Sequence, residues 1–142
     1  MQLALFDSSV YISALRQGNE ATLALRRLTI DATVWLSAVV LGELYAGAPG
    51  RERYIVERLE RDFDGAKRIL VPNLSDWTQA GKVLARLAAK YHYERIGQAR
   101  LTNDALIAMS AGRLGITVIT ANQRDFAKLA EFLSFQWQVT AF

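Results

Sequence analysis

Apolar residues recur along this chain in two rhythms, and the rhythms alternate. Gln2 to Phe6 is a short apolar run that stops at Asp7, the pattern of a buried strand. Ser9 to Leu15 reads as a helix closed near Gly18, and Asn19 can cap a second helix over Glu20 to Leu28. Thr33 to Leu36 is the next strand. Ser37 caps a helix over Ala38 to Ala46, which Gly47 and Pro49-Gly50 end. Arg51 to Phe63 is a charged amphipathic helix with Tyr54, Ile55, Leu59 and Phe63 on one side. Ile69 to Val71 is a strand. Ser75 caps a long helix from Asp76 to about Tyr91, with Trp77, Ala80, Leu84, Leu87 and Ala88 on its inner face. Tyr93 to Leu101 reads as irregular, and Thr102 as the cap of a helix from Asn103 to Leu114 that Gly115 ends. Ile116 to Thr120 is a β-branched strand, followed by a short helix near Phe126 to Phe132 and a last strand near Trp137 to Thr140. Short apolar strands alternating with helices predict one α/β domain over residues 1–142. Its expected form is three α/β/α layers around a mostly parallel sheet of about five short strands.

Composition then narrows the chemistry. The 142 residues are 51% hydrophobic, enough for a sizeable core, and no apolar run reaches a membrane-spanning length. The first residues lack a basic region and a small-residue cleavage site, so the expected location is cytoplasmic. Cysteine is absent and histidine occurs once, at His92, which reads as a surface or helix-capping residue. Thiolate chemistry and paired-histidine catalysis are thereby excluded. The net charge of +3 permits an anionic partner without requiring one.

Chemistry must therefore rest on carboxylates, hydroxyls or a bound cation. Four acidic residues fall near the carboxyl ends of predicted strands or on the helices beside them: Asp7, Glu43, Asp104 and Asp125. Ligands of parallel α/β sheets bind at those strand ends. Each also has a plain structural use. Asp7 can cap the helix after it, Asp104 can sit in a first helical turn where the macrodipole favours an anion, and Asp125 can cap the short helix at Phe126. Glu43 fits such a use least, because Val39, Val40, Ala46 and Gly47 are its helical neighbours. Two unit charges about 4 Å apart repel by roughly 4 kcal/mol at an effective dielectric of about 20. Four converging carboxylates would need a hard divalent cation, and such a cation suits phosphodiester cleavage.

At these residues the sequence resembles the PIN domains, and among them the VapC toxins. Leu5-Phe6-Asp7-Ser8-Ser9-Val10 is similar to the family's opening motif, with Ser8 in place of the commoner threonine. Ser37 to Ala48, with Glu43 at its centre, resembles the second motif. Asn103 to Ala108 resembles the third, and Gly115 to Phe126 runs into the fourth. The resemblance implies a metal-dependent endoribonuclease with Mg²⁺, or Mn²⁺ in its place, held by Asp7, Glu43, Asp104 and Asp125. It implies supporting hydroxyls from Ser9 and Thr120, an RNA substrate, a VapB-type antitoxin as partner and a homodimer. Many relatives carry an aspartate two residues after the threonine, where this chain has Asn122, so the fourth ligand is either Asn122 or Asp125. Arg95, Arg100 and Arg124 flank the motifs and are candidate RNA contacts, ahead of Arg16, Lys90 and Lys128; solvated surface charge is the alternative for each.

Rival folds fit less well. A haloacid-dehalogenase-like enzyme would want an aspartate where Ser9 stands, and a receiver domain an acidic pair near the first strand. No glycine-rich phosphate loop follows a strand. Within the resembled family, an RNA-processing nuclease outside any toxin pair and a non-catalytic binding module are the alternatives.

Overall fold

The computed structural model describes residues 2–17, 27, 30–92 and 95–140, with the backbone alone over 95–100. The helix expected over Glu20 to Leu28 lies outside the described residues apart from Arg27. Five strands, β1 (Gln2–Phe6), β2 (Ala32–Ser37), β3 (Ile69–Leu70), β4 (Thr117–Thr120) and β5 (Trp137–Val139), form one sheet. Its order is β3-β2-β1-β4-β5, and every pairing is parallel. The described helices are α1 (Ser8–Gln17), α2 (Ala38–Gly47), α3 (Arg51–Gly65), α4 (Leu74–Tyr91), α5 (Arg95–Arg113) and α6 (Gln123–Leu129).

The central strands explain the three layers. Successive side chains of a strand point to opposite faces. Leu5 and Val118 join a large core with Leu36, Val40, Leu87, Leu106 and Phe126. Their neighbours Ala4, Phe6 and Ile119 join a smaller core with Val10 of α1. Both faces of β1 and β4 are therefore covered, which is why Leu3 to Phe6 and Val118-Ile119 are apolar runs and not alternating ones. The order also creates a switch point. The chain leaves β1 toward β2 and β3 on one side, then returns to build β4 and β5 on the other. The crevice beyond the carboxyl ends of β1 and β4 is where such folds bind ligands.

Local signals set several ends as expected. Ser37 Oγ accepts from Val39 N–H at 3.2 Å and caps α2. Gly115, at φ +68°, ends α5, with Ile116 N–H bonded to Ala111 C=O at 2.9 Å and Gly115 N–H to Gly112 C=O at 3.3 Å. His92 is the left-handed C-cap of α4.

Other expectations are corrected. Asn73, not Ser75, caps α4: its Oδ1 accepts from Asp76 N–H at 2.8 Å while Asp76 Oδ2 accepts from Asn73 N–H at 2.9 Å. Trp77, expected on the inner face of α4, is 54% exposed, and Tyr54, grouped with the apolar side of α3, is 75% exposed; Val83 and Val56 are the buried residues there. Residues 95–101, read as irregular, belong to α5, so Thr102 lies inside that helix and not before its first turn. The last short helix begins at Gln123 with Asn122 as its cap.

Candidate active site

Asp7 follows β1 directly, and its N–H donates to Ile119 C=O at 3.1 Å, extending the β1–β4 ladder by one residue. Its side chain is only 2% exposed and is held at both oxygens. Ser9 Oγ donates to Oδ1 at 2.5 Å, and Thr120 Oγ1 donates to Oδ2 at 2.5 Å. Each hydroxyl is itself fixed by the loop after β4: Ala121 N–H donates to Ser9 Oγ at 3.1 Å and Asn122 N–H to Thr120 Oγ1 at 2.9 Å. Asp7 also plays the capping part, accepting from Val10 N–H at a long 3.4 Å. The hydroxyl bonds are far shorter, so capping is the lesser of its two roles. Burial pushes the Asp7 carboxyl above its ordinary range, and the bonds from Ser9, Thr120 and the backbone pull the other way without cancelling it.

A cleft of about 520 Å³ opens over this residue. Asp7, Glu43, Asp104 and Asp125 all line it, together with Ser8, Ser9, Ile12, Asn122 and Arg124. Glu43 comes from α2 and Asp104 from α5, and both helices pack into the large core. Asp104 is 7% exposed and lies more than two turns inside α5. The helix macrodipole therefore gives it no support, which removes the structural use that sequence allowed. Asp125 lies in the first turn of α6, where Asn122 rather than Asp125 is the cap.

Thr120 is fully buried beneath the cleft. Arg124 is exposed at its rim. Arg95 and Arg100 lie in the stretch where the backbone alone is described. Lys90 pairs with Glu131 at 2.6 Å, and Lys128 Nζ stands 4.8 Å from the Tyr91 ring centre; neither lines the cleft. Arg16 lines a neighbouring groove that shares Glu43 and Ile12 with it. Ile12 was not foreseen in this role; its spacing of three and four residues from Ser9 and Ser8 on α1 is the signal that finds it.

The polar lining is carboxylate, hydroxyl and amide, with one guanidinium at the rim. Its oxygens suit a hard cation. Among the described residues, no three acidic or histidine side chains are gathered tightly enough to enclose an ion. Mg²⁺ does not demand such a cage; it usually keeps several waters and takes one or two carboxylates. The donor set fits a hydrated ion in an open cleft.

A family model described as the PIN domain matches residues 4–132. No curated protein matches the chain. Among solved structures, the chain is similar to VapBC2 from Rickettsia felis bound to a promoter DNA fragment, at 18% identity, TM-score 0.69 and coverage of 99% of this chain and 100% of that one. It is similar to VapBC-5 of Mycobacterium tuberculosis, from a family of toxin–antitoxin systems, at 24% identity, TM-score 0.58 and full coverage of both chains. A toxin–antitoxin complex from Klebsiella pneumoniae shares 26% identity over 87% of this chain and 90% of that chain, with a TM-score of 0.50.

Proposed function

This chain belongs to the PIN-domain family, and from that premise we propose that it is a divalent-cation-dependent endoribonuclease acting as the toxin of a toxin–antitoxin pair. The observation that carries this reading is the single cleft at the β1–β4 switch point into which Asp7, Glu43, Asp104 and Asp125 all open. The similar structures are toxin–antitoxin complexes, which supports a VapB-type antitoxin as partner. A homodimer and a cytoplasmic location follow the same family reading. No described helix is long and apolar enough to cross a membrane.

Asp7, Glu43, Asp104 and Asp125 are the residues that would hold a hydrated Mg²⁺ or Mn²⁺, one or two of them directly and the others through its waters. When bound, the cation would supply activation of water and charge neutralisation at a phosphate oxygen. The chain's own part is positional. Ser9 and Thr120 fix the Asp7 carboxylate in one orientation, so no rotamer search accompanies binding. Arg124 at the rim would contact a phosphate of the RNA strand, setting its register without reading its sequence. The large core holds the helices bearing Glu43 and Asp104 at fixed depth.

Purified protein incubated with total RNA should produce discrete cut ends with Mg²⁺ or Mn²⁺ and none in chelator. Cleavage of equal rate in chelator, or no cleavage of any RNA with either ion, would remove the reading.

A further inference from the structure

Asn122 uses both ends of its side chain on the same neighbour. Its Oδ1 accepts from the Asp125 backbone N–H at 3.4 Å, as the cap of α6. Its Nδ2 donates to Asp125 Oδ2 at 2.9 Å. Its own N–H bonds the Thr120 hydroxyl that holds Asp7. One residue thus links the end of β4, the Asp7 carboxylate and the Asp125 carboxylate. The amide proton decides the chemistry of the position. An ionised aspartate at 122 would have nothing to donate and would set a like charge against Asp125 Oδ2. The amide nitrogen is no ligand for a hard cation, and the amide oxygen is turned to the backbone of α6.

We infer from this geometry that Asn122 is a positioning residue that aims Asp125, so that Asp125 and not residue 122 supplies the fourth oxygen donor of the cleft. The amide takes up Oδ2, so Oδ1 would be the oxygen that Asp125 offers to a cation. The inference rests on the cation-site reading proposed above.

Asn122→Asp separates the two roles by sign. The carboxylate is nearly isosteric and remains a good cap for α6, so the fold is kept. A residue that bound the cation directly would bind it more tightly as aspartate. A residue that positions Asp125 through its amide proton would bind it less well, by about 10–100-fold for loss of an orienting partner. Calorimetric titration of the two proteins with Mn²⁺ reads the difference. A weaker Mn²⁺ affinity in Asn122→Asp is the expected result, and an equal or tighter one overturns the inference. A second measurement needs no metal: in chelator, the side-chain amide resonances of Asn122 should move in Asp125→Ala. Amide resonances that ignore Asp125→Ala would show that the tie does not exist. Wild-type protein that binds no Mn²⁺ while those resonances still respond would leave the tie standing and sink the cation-site reading, and with it the role inferred here.

Discussion

Asp7 carries two opposed influences, and they give it a distinct pH signature. Its folded-state carboxyl is raised by burial above the ordinary value of 3.8. A group raised on folding contributes stability that is complete below the unfolded value and is lost as pH rises through the folded one. Metal-free protein should therefore lose stability relative to Asp7→Asn as pH rises above about 4, as read from urea unfolding in chelator. A constant difference across that range would mean that Asp7 is not strained by burial. Asp104→Asn tests the neighbouring carboxylate. The amide keeps the size but loses the charge, so RNA cleavage should fall at least about 100-fold while the metal-free melting temperature stays equal to wild type or rises. Near wild-type cleavage by that variant would break the mechanism at its centre. Glu43 stood out in the sequence because apolar residues are its helical neighbours, and Asp7 because an apolar run stops at it. The resemblance pointed to the Ser9 and Thr120 hydroxyls, but not to their clasp on Asp7, because Thr120 reaches Asp7 only through the β1–β4 pairing.

At the scale of elements, the strands and most helices were legible because each is bounded by a residue with one physical use. Gly115 and Ser37 announced their ends correctly. Ser75 misled because three polar residues, Asn73, Ser75 and Asp76, stand near the start of α4, and only reciprocal bonding between Asn73 and Asp76 selects the cap. Residues 95–101 looked irregular because Gly97 and Thr102 interrupt the pattern, yet α5 runs through both as one helix. Trp77 was placed inside with Ala80 by its spacing, yet it is exposed while Ala80 and Val83 are buried. Asp76 has a further duty that spacing could not show. Buried at 2% exposure, it receives Arg113 at 3.0 Å from the far end of α5. Arg113→Met should cost about 2–3 kcal/mol in urea unfolding, because a buried carboxylate loses its cation. The exposed pair Arg53–Glu57, at 3.6 Å, offers the contrast: Arg53→Met should cost under about 0.5 kcal/mol. Equal costs would show that the Arg113 pair does not hold α4 to α5.

At the scale of the whole molecule, the parallel sheet and the cleft are one design, since the strand order that buries β1 also places Asp7 at the switch point. The toxin reading adds a biological expectation. Expression of the chain alone should arrest growth, co-expression of its neighbouring antitoxin should restore it, and Asp104→Asn should be harmless at equal soluble yield. Harmless expression of soluble, RNA-cleaving wild type would separate the nuclease from the toxin. The pairing of β1 with β4 has one more consequence, and it concerns time. Asp7 and Thr120 meet across 113 residues of chain. At about 5–20 residues per second, a ribosome needs roughly 6–23 s to pass from one to the other. Throughout that interval the emerging chain carries Asp7 and at most part of its clasp, with no β4 to align it and no Asp125. The nuclease proposed above would therefore become competent only after β4 and Asp125 have left the ribosome.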